Sequence, residues 1–151
     1  TFLKLSPPLR TEDDRKALIE GVKTGLIDVI ISDHNPEDEE SKRLPFAQAA
    51  TGAIGIETLL PLALEMYHNE TLSLNKIIET LTINPSKILK IDKGTLKKGA
   101  EADICIFDLE TPWVVKAGNL KSKSKNTAIE NRKLQGKILM TFLNGELVFN
   151  Q

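Results

Sequence analysis

The sequence predicts an α/β fold that gives way to a small all-β unit, and three observations carry that prediction. A short continuous apolar run, Ile27 with Val29-Ile30-Ile31, reads as a strand buried on both faces, the kind found in parallel sheets. A helix-start signal at Thr11 and a helix-stop signal at Gly25 place a helix immediately before it. From Asp92 onward the helical apolar period is replaced by alternation and hairpin signals. The chain therefore divides into residues 1–91 and 92–151.

Residues 1–5 are apolar enough to finish a strand, and Ser6-Pro7-Pro8 ends it because neither proline can donate a ladder hydrogen bond. Thr11 stands as a helix N-cap, with Asp14 three residues on to close a capping box. Glu12, Asp13 and Asp14 put negative charge at the positive end of the helix dipole. Ala17, Leu18 and Val22 supply a buried stripe, and Gly25 the C-cap. Residues 1–32 thus read strand, helix, strand, which implies a parallel pair with a right-handed crossover.

Residues 37–43 read as a solvated polar loop, of the kind that covers a substrate when it follows a barrel strand. Gly52 and Gly55 flank a tight passage. Residues 56–67 are apolar almost all round, the mark of a helix buried on most sides, with Pro61 kinking it or marking a restart. Ser73 caps a helix in which Leu74, Ile77, Ile78 and Leu81 share one face. Asn84 and Pro85 read as N-cap and first residue of a short helix whose apolar contacts are Ile88, Leu89 and Ile91. Beyond it, Lys93-Gly94 and residues 96–99 are turns, and residues 102–108, 113–115, 137–143 and 146–149 are four strands. Asn144-Gly145 is the strongest hairpin signal, and the polar tract 121–127 reads as irregular.

Bulk properties exclude several functions. A chain of 151 residues has the length of one ordinary domain, and 40% hydrophobic with 27% charged residues is an ordinary globular composition. A net charge of -1 offers no basic field for nucleic acid and no cationic face for a membrane. No apolar stretch is long enough to span a bilayer, and no signal peptide is visible. The single Cys105 excludes an internal disulfide, fits a reducing, cytoplasmic compartment, and reads as a buried structural thiol. The start at Thr1 lacks a methionine and reads as the middle of a longer protein.

Chemistry concentrates at Asp33 and His34, at the C-terminal tip of the apolar run, where α/β barrels place their catalytic groups. Asp33 can serve as metal ligand or general base, or can cap the following turn. His34 can orient it, contact substrate or hydrogen-bond within the loop. His68, near a helix end, suits a solvated or dipole-complementing role. Two histidines do not build a zinc or binuclear site, which takes three or more His or carboxylate ligands. The chain alone carries an incomplete active site.

The segments Ser6-Pro7-Pro8-Leu9-Arg10, Asp33-His34-Asn35-Pro36 and Gly52-Ala53-Ile54-Gly55-Ile56-Glu57-Thr58 resemble, in that order, the C-terminal part of the dihydroorotases of the amidohydrolase superfamily. Asn84 to Leu89, Gly94 to Asp103 and Ser122 to Thr127 extend the resemblance to essentially the whole chain. The Asn-Pro and Gly-Thr-Leu segments recur across the superfamily, whereas the spacing from Pro-Pro-Leu-Arg to Asp-His is more specific. The resemblance implies a (β/α)8 TIM-type barrel with a small β-sandwich domain. Residues 1–91 would be its last strands and helices, and residues 92–151 the C-terminal part of the sandwich. It implies a hydrolase of pyrimidine biosynthesis that interconverts N-carbamoyl-L-aspartate and L-dihydroorotate with one or two zinc ions. Asp33 would be the catalytic, metal-binding carboxylate, and Ser6, His34, Glu37 and Gly52 would contact substrate. The remaining ligands and a substrate-binding arginine would lie upstream.

Two departures bear on activity: the family usually has Asn at Ser6 and His at Glu37. A glutamate facing an anionic substrate at ~4 Å, with an effective dielectric of ~20, is repelled by about 4 kcal/mol. A catalytically impaired scaffold, for example for aspartate transcarbamoylase, and a sister hydantoinase or allantoinase are therefore the alternatives. The expected partners are a small-molecule substrate, the upstream portion of the same enzyme and a second copy. Two strands cannot close a barrel and leave apolar edges open, so these 151 residues should associate with further chain.

Overall fold

The computed structural model describes all 151 residues. Helix α1 (Glu12–Thr24) begins as its local chemistry dictates: the Thr11 side chain accepts the Asp14 N–H, and the Asp14 carboxylate accepts the Thr11 N–H at 3.1 Å. It ends at Gly25, φ 80°, whose N–H donates to the Val22 carbonyl. Of the expected stripe only Val22 is buried; Ala17 and Leu18 are exposed. The close approach that matters instead is at Gly21, where a Cβ would stand 2.9 Å from Ile27 Cδ1.

The apolar run after α1 forms no strand ladder, and neither do residues 1–5, so the strand-helix-strand unit is not realised within the chain. A ladder needs neighbours on its edges. The run finds only scattered partners, the Gly21 carbonyl for the Ile27 N–H and the Thr80 carbonyl for the Ile30 N–H, then a single parallel bridge between His34 and Ala53. Ile31 is consequently 70% exposed where burial on both faces was expected.

Residues 37–43 are not a plain loop. Asp38 caps a short helix α2 (Glu39–Arg43) by accepting the Ser41 N–H at 2.8 Å. Helix α3 (Leu59–His68) starts three residues later than its apolar run, after a turn at 56–58. Pro61 takes its third position, where no intrahelical donor is needed. Helix α4 (Leu74–Leu81) is capped by Ser73 as expected. Helix α5 (Ile83–Leu89) starts at Ile83, so Asn84 is not its N-cap and Pro85 is not its first residue. Asn84 Nδ2 instead donates to the Asp28 carbonyl at 2.9 Å. Ile88, Leu89 and Ile91, expected to pack, are exposed.

Three strands follow, where four were expected. β1 (Ile104–Val114) merges two of them, and pairs antiparallel with β2 (Lys133–Leu143), which pairs with β3 (Glu146–Asn150). The merger survives a register shift between Asp108 and Pro112 because the Asp108 carboxylate accepts the N–H groups of Glu110 and Thr111 at 2.6 and 2.8 Å. Asn144 and Gly145, φ 51° and 82°, make the tight hairpin between β2 and β3. Cys105 on β1 is exposed and free, contrary to the buried thiol expected, because no second layer covers that face. The pKa of its thiol is raised by partial desolvation, which disfavours the reactive thiolate.

Two apolar clusters meet across α3. Val22, Ala63, Leu72 and Ile77 form one, and Ile54, Val115, Leu120 and Leu134 the other, with Leu62 and Trp113 packed on it. Helix α3 lies on β2 at Gly136, where a Cβ would stand 2.6 Å from Leu64 Cδ1. This helix is what holds the helical residues and the sheet in one frame.

Candidate functional site

A cleft of about 420 Å³ opens between the N-terminal segment, residues 30–33, the arm 52–55 and α3. Ser6, Asp33 and Gly52, three of the five site residues expected from sequence, line it together with Ile31, Ile54 and Met66. Asp33 is exposed, takes part in no ion pair, and holds φ at 43°. That left-handed conformation, uncommon for a residue with a side chain, turns the chain sharply at the end of the apolar run. The walls are mostly apolar with a few polar groups, the usual constitution of a small-molecule site.

His34 is beside Asp33 in sequence but lines a separate shallow depression with Gly55, Ile56 and Glu57. Its Nδ1 accepts the N–H groups of Gly55 and Ile56 at 3.2 and 3.4 Å, so in the neutral ring the proton is on Nε2. Hydrogen bonding within the loop is one of the three roles open to it in the sequence, and these two bonds fulfil it. Glu37 is half-buried and does not line the cleft. Its negative charge acts on the Lys42 ammonium and favours the charged form.

Gly52 has both backbone polar groups engaged. Its N–H donates to the Lys4 carbonyl at 2.9 Å, and its carbonyl accepts from Lys42 Nζ at 2.8 Å and Asn126 Nδ2 at 3.4 Å. Lys42 is completely buried, although the sequence reads as a solvated charged stretch. Burial pushes its ammonium below the ordinary lysine value; Glu37 opposes that push and Lys4 adds to it. Asn126, from the tract expected to be irregular, is also fully buried and donates to the Asn35 carbonyl at 3.1 Å. Neither was legible as a site residue, since the carbonyls that hold them are remote in sequence. Glu57 ties the same tract down by accepting the N–H groups of Lys121 and Ser122.

No group of three or more His, Cys, Asp or Glu side chains in the chain could hold a metal ion. At the cleft Asp33 is the one carboxylate, and His34 turns its Nδ1 to backbone donors. The residues present therefore do not fit a metal by themselves.

The model of the amidohydrolase family matches residues 5–148. The chain belongs to the amidohydrolase family. It is 46% identical over 149 residues to a dihydroorotase of Ehrlichia canis and 47% to one of Ehrlichia chaffeensis, covering 99% of this chain and 33% of each relative. A dihydroorotase of Aquifex aeolicus is 45% identical over 97% of the chain. The chain thus spans about a third of the length of the relatives it matches. Among solved structures, the L-hydantoinase of Arthrobacter aurescens superposes with a TM-score of 0.91 at 32% identity, covering 99% of this chain and 34% of that one. The dihydropyrimidinase of Brevibacillus agri superposes at 0.92 with 23% identity, a likeness of fold alone, over 98% of this chain and 34% of that one.

Proposed function

We propose that this chain forms the C-terminal part of a dihydroorotase that opens and closes the ring amide of L-dihydroorotate in pyrimidine biosynthesis. The observation that carries the reading is Asp33: a carboxylate free of ion pairs, set by a left-handed turn on the wall of a cleft sized for a small ring. A carboxylate there can take the proton from attacking water and return it to the leaving ring nitrogen. The higher identity to dihydroorotases than to hydantoinases favours dihydroorotate over hydantoin. Ser6 and Gly52, on the cleft walls, and His34, on the loop behind, would shape the substrate pocket. Glu37 is not among the residues that line the cleft, and in this reading it would stand clear of the anionic substrate.

In this reading residues 1–91 belong to a (β/α)8 barrel and residues 92–151 to a β-sandwich domain. The other barrel strands would supply the edge partners that the 27–31 run lacks. The metal, zinc in the resemblance, would be held mainly by residues outside this chain, with Asp33 as one ligand. The test is turnover of dihydroorotate by the full-length protein, with hydantoin and allantoin as competing substrates. Asp33→Ala should lower kcat by about 10²–10⁴-fold. Faster turnover of hydantoin or allantoin would reassign the substrate. Unchanged turnover in Asp33→Ala would remove Asp33 from the chemistry, and no turnover of any cyclic amide would leave the scaffold alternative.

A further inference from the structure

Lysine is almost never fully buried unless paired, because the desolvated charge must be compensated by hydrogen bonds or a counter-ion. Lys42 is fully buried and has no ion pair. Its compensation is main-chain oxygen: the ammonium donates to the carbonyls of Lys4 at 3.1 Å, Ala50 at 2.9 Å and Gly52 at 2.8 Å. Three donors meet three acceptors, so the group is saturated. The acceptors come from the N-terminal segment and from the arm that becomes the cleft wall, while Lys42 itself sits on α2. One side chain therefore joins three stretches of backbone. The Gly52 N–H closes the circuit by donating to the same Lys4 carbonyl at 2.9 Å.

Lys4 forms a second fastening in the opposite direction. Its ammonium donates to the carbonyls of Phe46, Ala47 and Ala49 at 2.8, 3.2 and 2.7 Å. The two lysines differ in what they reach. Lys4 secures the outer turn of the loop, whereas Lys42 secures Gly52, which lines the cleft. Converging carbonyl dipoles would repel one another without the cation between them, so a neutral side chain of equal size cannot replace it.

We propose that Lys42 is a positioning residue for the cleft: its ammonium, held by the carbonyls of Lys4, Ala50 and Gly52, fixes the Gly52 wall against which the substrate ring binds. It acts through those carbonyls and touches no substrate itself. The proposal rests on the reading of the cleft as a cyclic-amide site, and the test separates the two.

The full-length protein is measured by site-resolved hydrogen exchange and by steady-state kinetics on dihydroorotate. In the wild type the Gly52 amide should exchange as slowly as those of α3; exchange at loop rates overturns the proposal on its own. Lys42→Met should speed exchange at 50–52 and raise KM by roughly tenfold or more, with kcat within about threefold, since none of the carbonyls that hold Lys42 belongs to the Asp33 turn. Lys42→Arg, keeping the charge and several donors, should return KM to within about threefold of wild type. Lys4→Met should loosen 46–49 and raise KM clearly less than Lys42→Met does, because the Lys4 carbonyl is kept. Wild-type KM in Lys42→Met, or an equal rise in Lys4→Met, overturns the assignment. If Lys42→Met does not fold, wild-type exchange at Gly52 and the kinetics of Lys4→Met decide the matter. If the wild type hydrolyses no cyclic amide, the functional reading fails, while the exchange data still decide the fastening.

Discussion

Adding one methyl group at Gly52 tests whether the cleft wall is as tightly specified as its contacts imply. Gly52 holds φ at 122°, a region that glycine enters freely and other residues rarely adopt. An added Cβ would stand 2.2 Å from Asn35 Nδ2, 2.7 Å from its Cγ and 2.8 Å from its Cβ. The last of these is fixed to the backbone, so rotating the Asn35 side chain cannot clear the space. The backbone must move, at the expense of the bond from Asn35 Nδ2 to the Thr51 carbonyl, 2.9 Å, or of the Lys42 contact to Gly52, 2.8 Å. Backbone strain of this kind costs about 1–3 kcal/mol and a lost hydrogen bond about 1 kcal/mol, so Gly52→Ala should destabilise by about 2–4 kcal/mol. Urea denaturation of the full-length protein measures it, with Gly118→Ala as control. A Cβ at Gly118 meets nothing within 4 Å, and its effect should stay within about 0.5 kcal/mol. A Gly52→Ala shift no larger than that of the control would refute the reasoning, because the wall would then be free to deform.

Other positions separate backbone strain, charge and protonation. Gly145→Ala in the hairpin meets only Ala102 Cβ at 3.9 Å, so its cost is conformational, about 1 kcal/mol at φ 82°, and visible as a lower Tm. Arg132 donates from one guanidinium nitrogen to both Glu65 carboxylate oxygens at 2.9 and 2.7 Å, joining the entry of β2 to α3. The pair is partly exposed, so Arg132→Met should cost less than about 1 kcal/mol and less still in high salt. Backbone N–H groups of Thr111 and Glu110 hold the Asp108 carboxyl below the usual carboxylate range. A depressed folded pKa means that its stabilisation is complete above the unfolded value of about 3.9 and disappears as pH falls through the folded value. Melting curves between about pH 2 and pH 6 should show this acid limb, and Asp108→Asn should flatten it.

What was legible in the sequence is what local chemistry decides. Thr11 with Asp14, Ser73, Gly25 and the Asn144-Gly145 turn each satisfy neighbouring backbone groups within a few residues, and each sits where its chemistry places it. The run at 27–31 failed as a strand for the opposite reason: a ladder belongs to a pair of segments, and the partner is not among its neighbours. The third and fourth helical apolar sets divide on the same principle. Ile77 finds Val22, Ala63 and Leu72, whereas Ile88 and Leu89 stay mostly exposed. At the cleft, Asp33 and Gly52 were visible as a break after an apolar run and a glycine in a tight passage. Lys42 was not, because Glu-Glu-Ser-Lys-Arg reads as part of a solvated polar loop. Its burial depends on carbonyls at positions 4, 50 and 52, which only the folded chain brings together.

The exposed apolar surface carries a prediction of its own. A folded monomer of 16.7 kDa is expected to expose about 7,600 Å². This chain exposes 10177 Å², with 20 of 151 residues buried. The excess, about 2,500 Å², is comparable to the total area buried in a large permanent interface. It includes Ile31 beside the cleft, Ile88 and Leu89 on α5, and Leu143, Leu147 and Val148 in the sheet. Surface of that extent and composition is unstable in water unless covered. Produced alone, the 151-residue chain should self-associate, and sedimentation should show species well above 16.7 kDa that bind apolar dyes. A monomer with a single cooperative unfolding transition would refute this and would oblige the exposed faces to be stable as they stand. Association would instead support the view of the cleft as one wall of a site whose other walls come from further protein.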